Sequence, residues 1–103
     1  MMNTRYRITR NPHDEQEKEV ISLEECKLFF AKQADFSYVK QYSVRSNETV
    51  MTITGEFFLW SVLNTSIPFR YFEGDVYVAV SHELIYNKML EVAQGLKATY
   101  LEG

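Results

Sequence analysis

His13, His82 and the single cysteine, Cys26, are the residues here best suited to nucleophilic, acid–base or metal chemistry. Nucleophilic catalysis needs a thiol or hydroxyl held beside a base. Cys26, however, falls three residues after Leu23 and four before Phe30, on what reads as the apolar stripe of a helix. A cysteine so placed is a small buried hydrophobe before it is a nucleophile. A zinc site wants three or four Cys, His or carboxylate ligands at characteristic spacing, and two distant histidines with scattered acids do not supply it. The glycines Gly55, Gly74, Gly95 and Gly103 stand alone, so no glycine-rich loop offers to cradle a phosphate. The expectation is a chain with no catalytic residues, no metal and no cofactor: not an enzyme.

Binding is the other chemistry that residue types can announce. Asp14, Glu15, Glu17, Glu19, Glu24 and Glu25 lie close together in the chain with only Lys18 among them to offset their charge. Such a run is either a solvated loop and helix start or a surface that steers a basic partner into encounter. The aromatic group Phe57, Phe58, Trp60, Phe69, Tyr71 and Phe72 is mostly core material, but strand alternation sends some of it to the opposite face. If no helix covers that face, it presents the kind of aromatic anchors found at interfaces. Trp60 and Tyr71, with the six acids, form the predicted partner-binding set. Arg5 and Arg7 share one strand face and read as edge charges that discourage aggregation.

These residues must be positioned by elements whose signals are local. Tyr6 and Ile8 alternate with Arg5, Arg7 and Thr9, which predicts a strand over 4–10, ended by Asn11-Pro12. Residues 13–19 read as a charged loop, and Val20-Ile21 as a short return strand. Ser22-Leu23-Glu24-Glu25 fits a capping box, and the spacing of Leu23, Cys26 and Phe30 predicts a helix from 23 to about 33. Residues 36–45 and 49–63 are β-branched and aromatic, and Gly55 marks a bulge or tight turn in the second run. Asn64-Thr65-Ser66 reads as a loop closed by Pro68. Residues 69–72 and 75–80 flank Glu73-Gly74, a hairpin signal. Ser81 is the predicted cap of a second helix with a stripe at Ile85, Met89, Val92 and Leu96. Gly95 is expected in the left-handed position past that helix, and residues 97–101 as a last edge strand.

The order strand, helix, several strands, helix, strand predicts a single α+β domain over residues 1–103. Its antiparallel or mixed β-sheet would have about five to six strands with two α-helices packed on one face. Hydrophobic residues make up 46% and aromatics 15% of 103 residues, enough for one well-filled core. The net charge of −3 argues against a nucleic-acid ligand, which calls for clustered basic surface. One cysteine leaves no intramolecular disulfide and suits a reducing compartment. Met1 to Arg10 carries no apolar signal core, and no run approaches the ~20 apolar residues of a membrane span. The expected location is the cytoplasm, without membrane association, as a monomer or weak homodimer.

Four segments in this order, YRITR, ISLEECKLFFA, FRYFEGDVYVAV and KMLEVAQGLKATYLEG, resemble a group of small uncharacterised bacterial α+β proteins. Their pattern has an opening Y-x-I-T-R strand, an I-S-L-E-E-W helix start, an aromatic G-x-I-x-V hairpin and a closing helix with a Leu-Gly-Ala-type end. Cys26 stands where that pattern has Trp, and the sequence stops at Gly103 where the pattern runs on into an acidic Gly-Asp tail. Small acidic domains of this sort are similar to immunity proteins of toxin–immunity systems. The resemblance implies a protein-binding module that neutralises a bacterial toxin, a basic one if the acidic run is its surface. The alternative is a small ligand-binding or regulatory domain.

Overall fold

Among the described residues, six strands and two helices follow one another as β1 (Thr4–Thr9), α1 (Leu23–Ala31), β2 (Phe36–Ser46), β3 (Thr49–Val62), β4 (Thr65–Phe72), β5 (Asp75–Val80), α2 (Glu83–Gly95) and β6 (Thr99–Glu102). The structure is a computed structural model that describes residues 3–13 and 19–103. The strands form one sheet in the order β2-β3-β4-β5-β1-β6, and every pairing is antiparallel. The expected α+β class thus holds, with the sheet wholly antiparallel. No helix is long and apolar enough to cross a membrane among the described residues.

Both helices lay their stripes on the same face of the sheet. Cys26 and Phe30 of α1 and Ile85, Met89 and Val92 of α2 join Ile8, Phe58, Trp60, Phe69, Val76, Val78 and Val80 in one core. Each contributing strand sends alternate residues into it, the period of two that a half-covered sheet requires. Leu23, expected to be buried, is only half-buried because it opens the first turn of α1 at the edge of the contact. Phe30 stacks on Phe58 with ring centroids 4.4 Å apart and packs against Phe36 at 4.5 Å.

The helix ends show where local signals held and where tertiary contacts overrode them. Ser22 caps α1 with both halves of the capping box present. The cap of α2 is His82, not Ser81: its Nδ1 accepts the Leu84 N–H at 3.0 Å. Gly95 is the last residue of the helix, and Lys97 takes the left-handed conformation with φ 54°. A glycine is needed at 95 for space: a Cβ there would overlap the Phe29 ring, 2.6 Å from its Cζ. Val20-Ile21 forms no strand. Ile21 is buried and donates its N–H to the Gly74 carbonyl at 3.0 Å, a single backbone bond in place of a strand ladder.

Three tight turns chain β2 to β5 into a meander. Residues 64–66 are not a loop, because Leu63 and Asn64 both adopt positive φ (48° and 62°) and close a two-residue hairpin between Val62 and Thr65. Glu73 and Gly74 (φ 47° and 86°) do the same between Phe72 and Asp75. Two successive positive-φ residues match the strand twist.

β3 is one strand through Gly55, with a bulge. Val39 pairs with Phe57 but Gln41 pairs with Thr54, so β3 carries one more residue than β2 over this stretch. A bulge increases local twist and bends the ribbon. Beyond it, β2 and β3 continue as a two-stranded arm to the turn at Asn47.

Candidate binding face

The face of the sheet away from the helices carries the odd-numbered residues of β1 and β5 with Phe57, Arg70 and Phe72. Phe57 is only 3% exposed, yet is not part of the core beneath the helices. What buries it is the arm. Val44 of β2 and Arg5 of β1 are separated in the sheet by β3, β4 and β5, a distance of roughly 19 Å at about 4.8 Å per strand. Both nevertheless line one cavity of about 440 Å³, together with Tyr42, Ile53, Phe57, Arg70, Phe72 and Tyr77. The arm therefore curls across the open face, and Tyr42 packs on Phe57 with ring centroids 5.7 Å apart.

Arg70 lies at the centre of this concavity. Its guanidinium carbon sits 5.1 Å from the Phe72 ring centroid and 5.6 Å from that of Phe57. Cation–π contacts of this kind contribute roughly 0.5–2 kcal/mol each. The bulge closes over it: a Cβ at Gly55 would lie 3.4 Å from Arg70 Nε and 3.3 Å from Phe57 Cε2. Gly55 thus lets backbone approach the guanidinium closely. The Nε–H is buried and has no hydrogen-bond partner, and a buried donor left unpaired costs about 1–3 kcal/mol. Arg5 stands over Tyr77, 4.9 Å from the ring centroid. No acid among the described residues pairs with Arg5 or Arg70. Arg7, beside them on β1, does have one, Asp75 Oδ2 at 3.5 Å.

The arm itself is exposed and apolar at its outer end. Val44 is 44%, Val50 54% and Met51 60% exposed, and Val44 and Met51 are cross-strand partners. A two-stranded ribbon is marginal in water by itself, and this one leaves Val44, Val50 and Met51 exposed.

The residues expected to bind a partner are distributed differently. Asp14, Glu15 and Glu17 lie outside the described residues. Glu19 and Glu24 are exposed, and Lys27 approaches Glu24 at 3.9 Å. Glu25 is already engaged: Arg10 donates to both of its carboxylate oxygens, at 3.0 and 2.6 Å. Trp60 sits in the core beneath the helices, its indole N–H donating to Asp35 Oδ2 at 2.8 Å. Tyr71 packs against the same core and donates its hydroxyl to the Ile21 carbonyl at 2.8 Å. Alternation sends Phe57 and Phe72 to the open face instead. The one sequence signal for this site is Gly55, since Arg70 sits in an ordinary alternating strand.

Cys26 is fully buried, and its thiol is pushed up to about 12 by loss of solvation and then by the neighbouring Glu25. These are the opposite of thiolate-activating conditions. No group of three or more metal-ligating side chains exists among the described residues. A further concavity of about 490 Å³ lies at the start of α2, lined by Tyr6, His82 and Tyr86. Two of its polar side chains are engaged within the chain: His82 caps the helix, and the Tyr86 hydroxyl lies 2.8 Å from that of Tyr100. The arginine face is the better candidate because Arg5 and Arg70 have no acidic partner among the described residues.

No protein-family model matches the chain, and neither does any curated protein or solved structure.

Proposed function

We propose that the chain is a protein-binding module that engages its partner with the curled β2–β3 arm and the open face beneath it. The observation that carries this reading is the exposed cross-strand pair Val44 and Met51 at the end of the arm, on the ribbon face that continues into the concavity around Arg70. Contiguous exposed apolar surface is unfavourable in water and marks interaction sites. The resemblance to immunity proteins suggests one class of partner, a toxin domain whose activity is blocked by occlusion. The expected acidic docking surface is supported less well, because Glu25 is spent on Arg10. A small-ligand reading has one observation in its favour: a cavity of about 440 Å³ falls in the size range of ligand pockets.

Photo-crosslinking tests the protein-binding reading while the partner is still unidentified. Met51→p-benzoylphenylalanine and Val44→p-benzoylphenylalanine, expressed in the native host, should trap the same discrete protein. The same substitution at Gln94, exposed on α2, should not. An adduct pattern shared by all three positions, or none at 44 and 51, would sink the proposal.

A further inference from the structure

The geometry points to the concavity as a site for the carboxylates of an acidic peptide segment, with Arg70 as anchor and Arg5 as second cation; this rests on the protein-binding reading above. The charge is opposite to that expected from the acidic run before α1. Both arginines lack an acidic partner among the described residues, although the chain has more acids than bases. An arginine used only to cover apolar surface would keep its guanidinium in water. Arg70 instead lies against the Phe57 and Phe72 rings with its Nε–H buried beside the bulge at Gly55. These contacts restrain the guanidinium before any ligand arrives. A pre-oriented guanidinium recognises a planar carboxylate through paired N–H donors at little further entropic cost.

The surroundings narrow the ligand further. Tyr42, Ile53 and Tyr77 supply apolar and aromatic wall around the two cations, which suits a side chain or backbone flanking the acid. A nucleic-acid backbone needs a row of cations in register with its phosphates. Two arginines on a chain of net charge −3 match one or two carboxylates. Long-range attraction of an acidic partner would be weak, so selectivity arises at contact, where the ligand is desolvated between the arm and the sheet.

The test is an arrayed library of acetylated hexapeptides, each position varied over all residue types, probed with the intact chain. Wild type should prefer Asp or Glu at one or two positions. For the best peptide, Arg70→Gln should weaken binding about tenfold or more, as expected for loss of one partner of a desolvated charge pair. Arg70→Lys should restore little, because the ammonium lacks the planar fork. Thermal melting checks that the variants fold, and Arg5→Gln, at an exposed position, provides a second variant with a smaller loss. Absence of any acidic preference, or a preference that survives both Arg→Gln changes, overturns the assignment. So does tighter binding of a single-stranded RNA hexamer than of the best peptide. If the crosslinked adduct at Met51 persists unchanged in Arg70→Gln, the protein-binding reading stands and the carboxylate assignment alone fails.

Discussion

Arg10 and Glu25 meet through two parallel hydrogen bonds, Nη1 to Oε1 at 3.0 Å and Nη2 to Oε2 at 2.6 Å. The same guanidinium donates to the Leu96 carbonyl at the end of α2 and to the Val20 carbonyl ahead of α1. One side chain following β1 thereby ties the start of one helix to the end of the other. Glu25 also accepts the Ser22 N–H, completing the capping box. The Arg10 hydrogen bonds, followed by the bond from the Ser22 backbone, hold the Glu25 carboxyl at about 2, well below the ordinary carboxylate range.

The pH dependence follows from that depression. A carboxyl whose pKa is lower folded than unfolded stabilises the protein above its unfolded value, and the contribution is lost as pH falls through the folded one. Stability should therefore decline between about pH 5 and pH 2. Glu25→Gln should be less stable than wild type at neutral pH and should show a shallower decline through that window. Urea midpoints measured across the range check this, and parallel curves for the two proteins would show that Glu25 contributes nothing to acid sensitivity.

Met89 is fully buried against the sheet. Met89→Ala should lower stability by about 2–5 kcal/mol through lost burial and the cavity left behind. A denaturant midpoint equal to wild type would contradict the packing of α2. Cys26, buried one turn into α1, should react with iodoacetamide far more slowly in the native state than in denaturant, since burial both shields it and disfavours the thiolate.

Gly95 sets two effects against each other. Helix propensity favours Gly95→Ala by about 1 kcal/mol. The new methyl would, however, overlap the Phe29 ring, 2.6 Å from its Cζ. Phe29 packs edge-on against Phe30, centroids 5.0 Å apart, so retreat of its ring would disturb that contact. Overpacking typically costs about 1–3 kcal/mol. The expected result is net destabilisation in wild type and stabilisation in a Phe29→Ala background. A double-mutant cycle in urea reads the sign directly.

What the sequence made legible were features encoded within a few residues. The capping box at Ser22 and Glu25, the alternation of Tyr6 and Ile8 and the stripe from Ile85 to Val92 are local, and each proved a true element. The misses have non-local causes. Gly95 resembles a helix stop, but its lack of a side chain serves contact with Phe29, far earlier in the chain. Leu63 does not look like a turn residue, yet pairing of β3 with β4 imposes positive φ on it. Alternation fixes which residues share a face, not which face the helices cover. Trp60 and Tyr71 therefore read as residues of the open face although Phe57 and Phe72 are the ones that lie there. The arginine concavity depends on all of this together, and on an arm bent by a bulge whose position Gly55 marked but whose direction it did not.

Asp35 offers a way to separate a hydrogen bond from a charge. Its Oδ2 accepts the Trp60 indole N–H at 2.8 Å and lies 3.2 Å from Lys88 Nζ. Lys88 in turn stands 5.3 Å from the Trp60 ring centroid, so the three side chains link the loop before β2, the strand β3 and the helix α2. The Asp35 side chain is 41% exposed, and partly exposed ion pairs contribute only about 0–1 kcal/mol. The indole N–H belongs to a residue in the core, where an unpaired donor costs about 1–3 kcal/mol. Asp35→Asn keeps an acceptor for the indole and removes the charge, so it should cost little. Asp35→Ala removes both and should cost distinctly more, with a shift in Trp60 fluorescence as its N–H loses its partner. Urea unfolding followed by that single tryptophan measures both variants. If Asn and Ala prove equally damaging, the charge facing Lys88 holds this corner together and the indole bond is incidental.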